Sequence, residues 1–351
     1  MSVSSSSEQV MEDAWNRAVG LAGIDASRVH LLPIPGAVRR FVGCLLLGLC
    51  ASFIALTAGS DPAAQAGGTQ SGGTQAQPLA SGLCAQAGKA HNVTIALQSE
   101  GQARSAVLHL PGAARGRALA LLVAFHGWGS SGAQFERETG FDSLANRRGF
   151  AVLYPSSAGG HWQIGGPRTD VTFITALLAR VEAVACIDRR RVYATGLSNG
   201  AGMVARLACE ASIQLAGAVP VAGYYSPLAP CEPMRAVSLL EIHGTNDTVV
   251  PYYDKGADGG SDALSFAAAW AARDGCADKP TIVAFAPHAV LYRWNGCEDG
   301  ARVEQLTLYG VGHGLPDAPG AHVRAPGPAT ISGIGVVWSF LAPIVLAAPP
   351  A

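Results

Sequence analysis

The sequence predicts an α/β fold, with a mostly parallel central sheet covered by helices on both faces. Three observations carry this reading. Segments of strand and helix character alternate from residue 105 to residue 341. Ala118–Phe125 is apolar throughout, as expected of a strand buried on both faces. The strand-like run Arg191–Thr195 leads into Gly196-Leu-Ser-Asn-Gly200, where a strand enters a helix through a sharp turn.

Element by element, Ser105–Leu110 and Ala118–Phe125 read as strands, the second as the central one. The spacing predicts a helix over Ala133–Arg147, then a strand over Phe150–Tyr154 that ends at Pro155. Asp170–Ala185 has helical periodicity with Asp170 as its N-cap. The nucleophile strand Arg191–Thr195 is followed by a helix over Ala201–Glu210. Strands follow at Leu215–Val221 and Val237–His243, a helix at Asp262–Ala272, strands at Leu291–Trp294 and Val303–Leu308, and a closing helix at Thr330–Leu341.

The 351 residues are enough for one large domain or two small ones, and 49% apolar residues allow a sizeable core. A net charge of −1 and the lack of a long basic stretch point away from nucleic acid as a partner. Residues 1–66 read as a leader. Within it, residues 41–58 carry no charge and stand after Arg39 and Arg40, and Ala64-Gln65-Ala66 offers a small-x-small cleavage site. A signal peptide and a single-pass anchor both fit this segment. Either would export the chain beyond residue 66, with transient or permanent membrane contact through residues 41–58. Residues 67–83 form a flexible Gly/Ser/Gln-rich linker, 84–345 the folded domain and 346–351 a tail. Six cysteines lie beyond the leader: Cys84, Cys186, Cys209, Cys231, Cys276 and Cys297. An even number in an exported chain suggests disulfides, but spacing does not choose among the pairings. No Cys or His cluster has zinc spacing, so neither a metal nor another cofactor is expected.

The turn at residues 196–200 matches G-x-S-x-G, in which tiny residues must flank the serine. This pentapeptide alone is a weak signal in a chain with 43 glycines. Its setting strengthens it, because Asp247 and His313 each come after a predicted strand, in the order Ser, Asp, His of α/β-hydrolases. A serine hydroxyl needs a base within reach, and the base needs an orienting acid. Ser198 is therefore the candidate nucleophile, His313 the base and Asp247 the acid, with Asp254 and Asp258 as fallbacks. His126 and His243 end strands in His-Gly pairs, where the ring more often supports a loop. The oxyanion of a tetrahedral intermediate needs backbone donors. The amides of Asn199 and of Trp128, in His126-Gly-Trp-Gly129, are the candidates.

Cys186-Ile-Asp-Arg-Arg-Arg-Val-Tyr-Ala-Thr-Gly-Leu-Ser-Asn-Gly-Ala-Gly-Met203, Leu207-Ala-Cys209, Glu241-Ile-His-Gly-Thr-Asn-Asp-Thr-Val-Val-Pro-Tyr252 and Trp270-Ala-Ala-Arg-Asp-Gly-Cys276 resemble the secreted feruloyl esterases and their relatives named polyhydroxybutyrate depolymerases. The likeness spans roughly residues 84–342. It implies an α/β-hydrolase fold and a Ser–His–Asp triad on Ser198, His313 and Asp247. It also implies a Cys276–Cys297 disulfide, with Cys84–Cys186 and Cys209–Cys231 as companions. The chain departs from the family pattern at Ala201, where a glycine is frequent, and at His313-Gly-Leu-Pro316, where the family commonly has His-Thr-Trp-Pro. The resemblance implies hydrolysis of hydroxycinnamoyl esters of plant cell-wall polysaccharide. The alternatives are a polyhydroxybutyrate or acetyl (xylan) ester and, from a different class, a catalytically silent hydrolase-fold binding protein. A planar acyl group would want flat apolar walls, for which Trp128, Trp162, Tyr224 and Tyr225 are candidates.

Overall fold

The structure, a computed structural model, describes residues 84, 88–112, 116–210, 215–225, 231–253, 262–316 and 331–347. All of these fall in the second of two compact units, Gly73–Ala351. The leader, the linker, Asp254, Asp258 and most of the tail lie outside the described residues.

A ten-stranded sheet forms the centre of the fold, in the order β1-β2-β4-β3-β5-β6-β7-β10-β9-β8. In chain order the strands are β1 (His91–Ser99), β2 (Gln102–Leu110), β3 (Leu119–Phe125), β4 (Ala151–Pro155), β5 (Ile187–Leu197), β6 (Gly217–Val221), β7 (Ser238–Gly244), β8 (Thr281–Ala286), β9 (Ala289–Trp294) and β10 (Val303–Leu308). The helices are α1 (Gly132–Thr139), α2 (Phe141–Arg148), α3 (Thr169–Glu182), α4 (Asn199–Glu210), α5 (Ala263–Arg273) and α6 (Gly333–Leu341). Strands β4, β3, β5, β6, β7 and β10 are parallel. Antiparallel strands extend this block at both sides, β2 and β1 beyond β4 and β9 and β8 beyond β10. The mixed sheet with a parallel centre agrees with the expected α/β-hydrolase architecture.

The two faces of β3 show why its sequence is apolar without interruption. Leu121, Val123 and Phe125 join a core with Phe173 and Leu177 of α3, Val204 and Leu207 of α4 and Trp270 of α5. Ala120, Leu122 and Ala124 join the opposite core with Phe135 of α1, Phe141 and Leu144 of α2 and Trp338 of α6. Successive side chains point to opposite faces of a strand, and here both faces are covered.

Two sequence expectations need correction, and two strands, β1 and β8, are additional to those expected. The helix expected over Ala133–Arg147 is two helices, because Gly140 adopts a left-handed conformation (φ 73°) that closes α1 and redirects the chain into α2. Asp170 is not an N-cap. It is buried in the first turn of α3, paired with Arg104 at 2.6 Å and accepting the Gln163 amide. Strand β1 leaves no clear alternation in the sequence because most of its positions lie exposed on an outer strand. Strand β8 is also an outer strand, with five of its six residues exposed and no buried face to impose a pattern.

Candidate active site

Ser198 sits just past β5 at the C-terminal edge of the parallel strands, where loops from separate strands converge. Its φ of 58° lies in the left-handed region, uncommon for a residue with a side chain. The turn closes only because its glycines have no Cβ. A Cβ on Gly196 would stand 2.5 Å from the Gly200 carbonyl oxygen, and one on Gly200 would stand 2.4 Å from that of Phe125. The Ser198 amide donates to Val221 O at 3.0 Å, while its carbonyl accepts from the Ala201 and Gly202 amides as α4 begins.

A series of backbone bonds along the same edge runs from this elbow to the loops after β7 and β10. Ala222 N donates to Ile242 O at 2.8 Å, Thr245 N to Leu308 O at 2.9 Å, and Asn246 N to Val311 O at 2.9 Å. The last bond holds the loop of Asp247 against the loop of His313. Asp247 Oδ2 accepts from His313 Nδ1 at 2.7 Å. Its Oδ1 accepts from the amides of Val249 at 2.9 Å and Val250 at 2.8 Å. Burial alone would push the Asp247 carboxyl up. Hydrogen bonds from His243 and His313, and from the Val250 amide, instead hold it well below the ordinary carboxylate range. With Nδ1 engaged, Nε2 is the His313 nitrogen left to act as a base. Among the described residues no hydrogen bond joins Ser198 to His313. Such bonds often tighten only around a reacting substrate.

The Trp128 loop lies beside the elbow, since a Cβ on Gly127 would stand 3.6 Å from the Ser198 Cβ. Among the described residues neither the Trp128 nor the Asn199 amide has a hydrogen-bond acceptor. The loop is held from behind. The Asn199 side chain accepts the Trp162 amide at 2.6 Å and donates to the Trp162 carbonyl at 3.1 Å. Trp162 Nε1 donates to His126 O at 3.0 Å, and Gly129 N donates to Gly160 O at 2.7 Å. His126 is buried; its Nδ1 faces Gly127 O at 2.7 Å and its Nε2 accepts the Ser157 amide at 3.1 Å. Burial lowers its pKa, which suits a neutral ring with its proton on Nδ1.

The four aromatic candidates separate into two kinds. Trp128 is 71% exposed and stacks on His161 with centroids 4.5 Å apart; Tyr224 is 37% exposed. Trp162 and Tyr225 are core residues, which corrects their expected place on an open acyl wall. Trp162 packs on Phe125 and His126, and Tyr225 stacks on Phe266. Burying a large ring contributes more than exposing it, and periodicity does not report which aromatic a loop will turn inward. The three cysteine pairs are Cys84–Cys186, Cys209–Cys231 and Cys276–Cys297.

Two further polar side chains, Glu241 and His243, lie behind the Asp247 loop, and His243 Nε2 meets Val250 O of that loop at 2.9 Å. Both are buried on β7; Glu241 Oε1 lies 2.9 Å from His243 Nδ1, and His243 Nε2 lies 3.3 Å from Asp247 Oδ2. A glutamate inside the otherwise apolar run Leu239–Ile242 marks the position in the sequence.

Comparison with known proteins finds esterases. Residues 104–258, under half of the chain, match the family described as Esterase PHB depolymerase. The chain is 27% identical over 238 residues to feruloyl esterase B of Piromyces equi, covering 61% of this chain and 43% of that protein. It is 27% identical over 200 residues to the bifunctional acetylxylan esterase/xylanase XynS20E of Neocallimastix patriciarum, covering 55% of this chain and 28% of that protein. The chain thus spans less than half the length of either curated relative. Among solved structures, the acetyl xylan esterase from Aspergillus awamori superposes with a TM-score of 0.51 at 18% identity, covering 66% of this chain and 96% of that one. That likeness supports the shared fold. Residues 104–258 thus match the Esterase PHB depolymerase family model, within a fold of the α/β-hydrolase type.

Proposed function

We propose that this protein is an exported carboxylic-ester hydrolase that works through Ser198, His313 and Asp247. The observation that carries the reading is the 2.7 Å Asp247–His313 bond, formed at the strand edge that also presents a serine with left-handed backbone. In the first step the Ser198 Oγ attacks the ester carbonyl while His313 Nε2 takes its proton. Asp247 stabilises the resulting imidazolium, and the amides of Trp128 and Asn199 receive the oxyanion. The intermediate collapses, His313 returns the proton to the departing alkoxide, and an acyl-Ser198 ester remains. Water, activated by His313, then cleaves that ester and releases the acid.

The substrate favoured is a hydroxycinnamoyl ester of plant cell-wall polysaccharide. Trp128, exposed beside the oxyanion donors and backed by His161, offers a flat surface for an aryl ring or a sugar. The relative named feruloyl esterase supports this substrate, and the one named acetylxylan esterase supports the alternative of an acetyl ester on the same kind of polymer. The exposed Val249 and Tyr253 near Asp247 favour a second reading, a polyhydroxyalkanoate presented as a surface. Export is supported by the three disulfides, which persist in oxidising compartments. Among the described residues no helix is long and apolar enough to cross a membrane, and residues 41–58 lie outside them.

The test is kcat/KM for methyl ferulate, p-nitrophenyl acetate and a polyhydroxybutyrate film, for the wild type and Ser198→Ala. Substrate preference is a ratio of these constants. Ferulate should be preferred, and Ser198→Ala should lose about 10⁴-fold or more while keeping its circular dichroism spectrum. Film clearing with negligible ferulate release selects the polyester reading. Wild-type turnover by a folded Ser198→Ala removes the nucleophile assignment, and inertness of the wild type on all three substrates favours a silent binding protein.

A further inference from the structure

The triad acid is shared by a second histidine. Asp247 Oδ2 lies 2.7 Å from His313 Nδ1 and 3.3 Å from His243 Nε2. His243 Nε2 is also 2.9 Å from Val250 O, and its Nδ1 is 2.9 Å from Glu241 Oε1. Both nitrogens of this buried ring therefore face acceptors. A neutral imidazole carries one N–H and would leave one nitrogen against a lone pair, whereas the imidazolium satisfies both. Glu241 is built to be its counter-charge. Its Oε1 also accepts from Tyr225 OH at 3.1 Å, and its Oε2 accepts from Gln305 Nε2 at 3.1 Å. Gln305 is fixed in that orientation because its own Oε1 accepts from Thr307 Oγ1 at 2.8 Å, and Thr307 meets Tyr252 OH at 2.7 Å. The groups facing His243 are thus Glu241 on its own strand, Asp247 and Val250 from the loop after β7, and the edge-on ring of Tyr252.

We propose that His243 is a positioning residue of the hydrolytic site: held as a buried imidazolium between Glu241 and Asp247, it shares Asp247 Oδ2 with His313 and sets how strongly His313 holds its proton. The inference rests on the triad reading above. Its physical content is competition for one carboxylate oxygen. A fixed cation on Asp247 keeps the carboxylate ionised and aimed, but draws off part of the charge that would stabilise protonated His313. Burial alone would push the His243 ring down; Glu241 beside it and the bonds to Asp247, Glu241 and Val250 O outweigh this and push it up to about 10.

Two measurements test this on the folded protein. In wild-type enzyme labelled with ¹⁵N at histidine, His243 should show protons on both ring nitrogens at pH 8; a single protonated nitrogen overturns the proposal. In His243→Gln the acid limb of kcat/KM for p-nitrophenyl acetate should move up by about one pH unit, the size expected for removing a charge some ~6 Å from His313 in a partly buried site. A lower rate at every pH with an unmoved limb would mean that His243 merely supports the loop, and overturns the proposal. Should His243→Gln fail to fold, the wild-type spectrum decides. Asp247→Asn separates the two levels of inference. If Asp247→Asn is crippled and His243→Gln leaves the limb in place, only the role of His243 falls. If Asp247→Asn turns over like wild type, the triad reading itself falls.

Discussion

Asp247→Asn changes one atom and conflicts with two neighbours. The side-chain oxygen of asparagine can still accept the Val249 and Val250 amides, now received at 2.9 and 2.8 Å. Its NH₂ must then take the place of Oδ2, 2.7 Å from His313 Nδ1 and 3.3 Å from His243 Nε2. Donor would face donor on both sides. His313 can escape by moving its proton to Nε2, but that tautomer has no lone pair there for the Ser198 proton. The expected loss in kcat is about 10⁴-fold, equivalent to roughly 5 kcal/mol of transition-state stabilisation. Single-turnover acylation by p-nitrophenyl acetate measures it, with circular dichroism to confirm the fold. The stability effect has a definite sign. The folded-state pKa of Asp247 is depressed, so its stabilisation is present above the unfolded carboxylate value near 4 and is lost as pH falls through the folded value. The stability gap between wild type and variant should be full at pH 6–8, roughly 1.5–3 kcal/mol for each charged hydrogen bond lost, and should narrow below about pH 4. An acylation rate within tenfold of wild type would refute the assignment of the acid.

Gly200→Ala should cost at least about 1–3 kcal/mol and most of the activity, because its Cβ meets the Phe125 and His126 carbonyl oxygens at 2.4 and 2.5 Å and backbone cannot move aside. An unchanged melting temperature with full activity would show that the elbow is looser than these distances imply. Asp274 is fully buried with one carboxylate oxygen unpartnered, and burial raises its pKa to about 7 despite the Val237 amide, Arg273 and Arg235. The folded state therefore binds this proton more tightly than the unfolded chain, and stability falls as pH rises from about 4 to about 7. Asp274→Asn should gain up to about 4 kcal/mol relative to wild type at pH 8 and little at pH 4. Urea midpoints that differ equally at the two pH values would contradict this. Replacing Cys276 and Cys297 by serine opens a bridge of sequence separation 21 and should lower the unfolding free energy by about 3 kcal/mol. Non-reducing peptide mapping of the wild type that finds two free thiols would remove the basis of that expectation.

Much of this protein is written locally. The apolar run of β3, the Gly-x-Ser-x-Gly turn and the acid and base after successive strands are properties of short stretches, and burial or steric need within a stretch leaves a readable mark. The strand Val303–Leu308 is read to the residue for the same reason, since both its faces are covered. Other features were decided only when distant segments met. Gly140 divides a helical run through its left-handed backbone, which the apolar spacing across 133–147 does not show. Trp162 and Tyr225 became core because partners remote in sequence, Phe125 and Phe266, received their rings. The Glu241–His243 pair, a charged element in an apolar strand, makes sense only with Asp247, Tyr225 and Gln305 brought around it. Local sequence thus determines which chemistry the chain can offer. Tertiary packing decides which of those groups stay open to a substrate, and which are buried so deeply that their charges must be answered by one another.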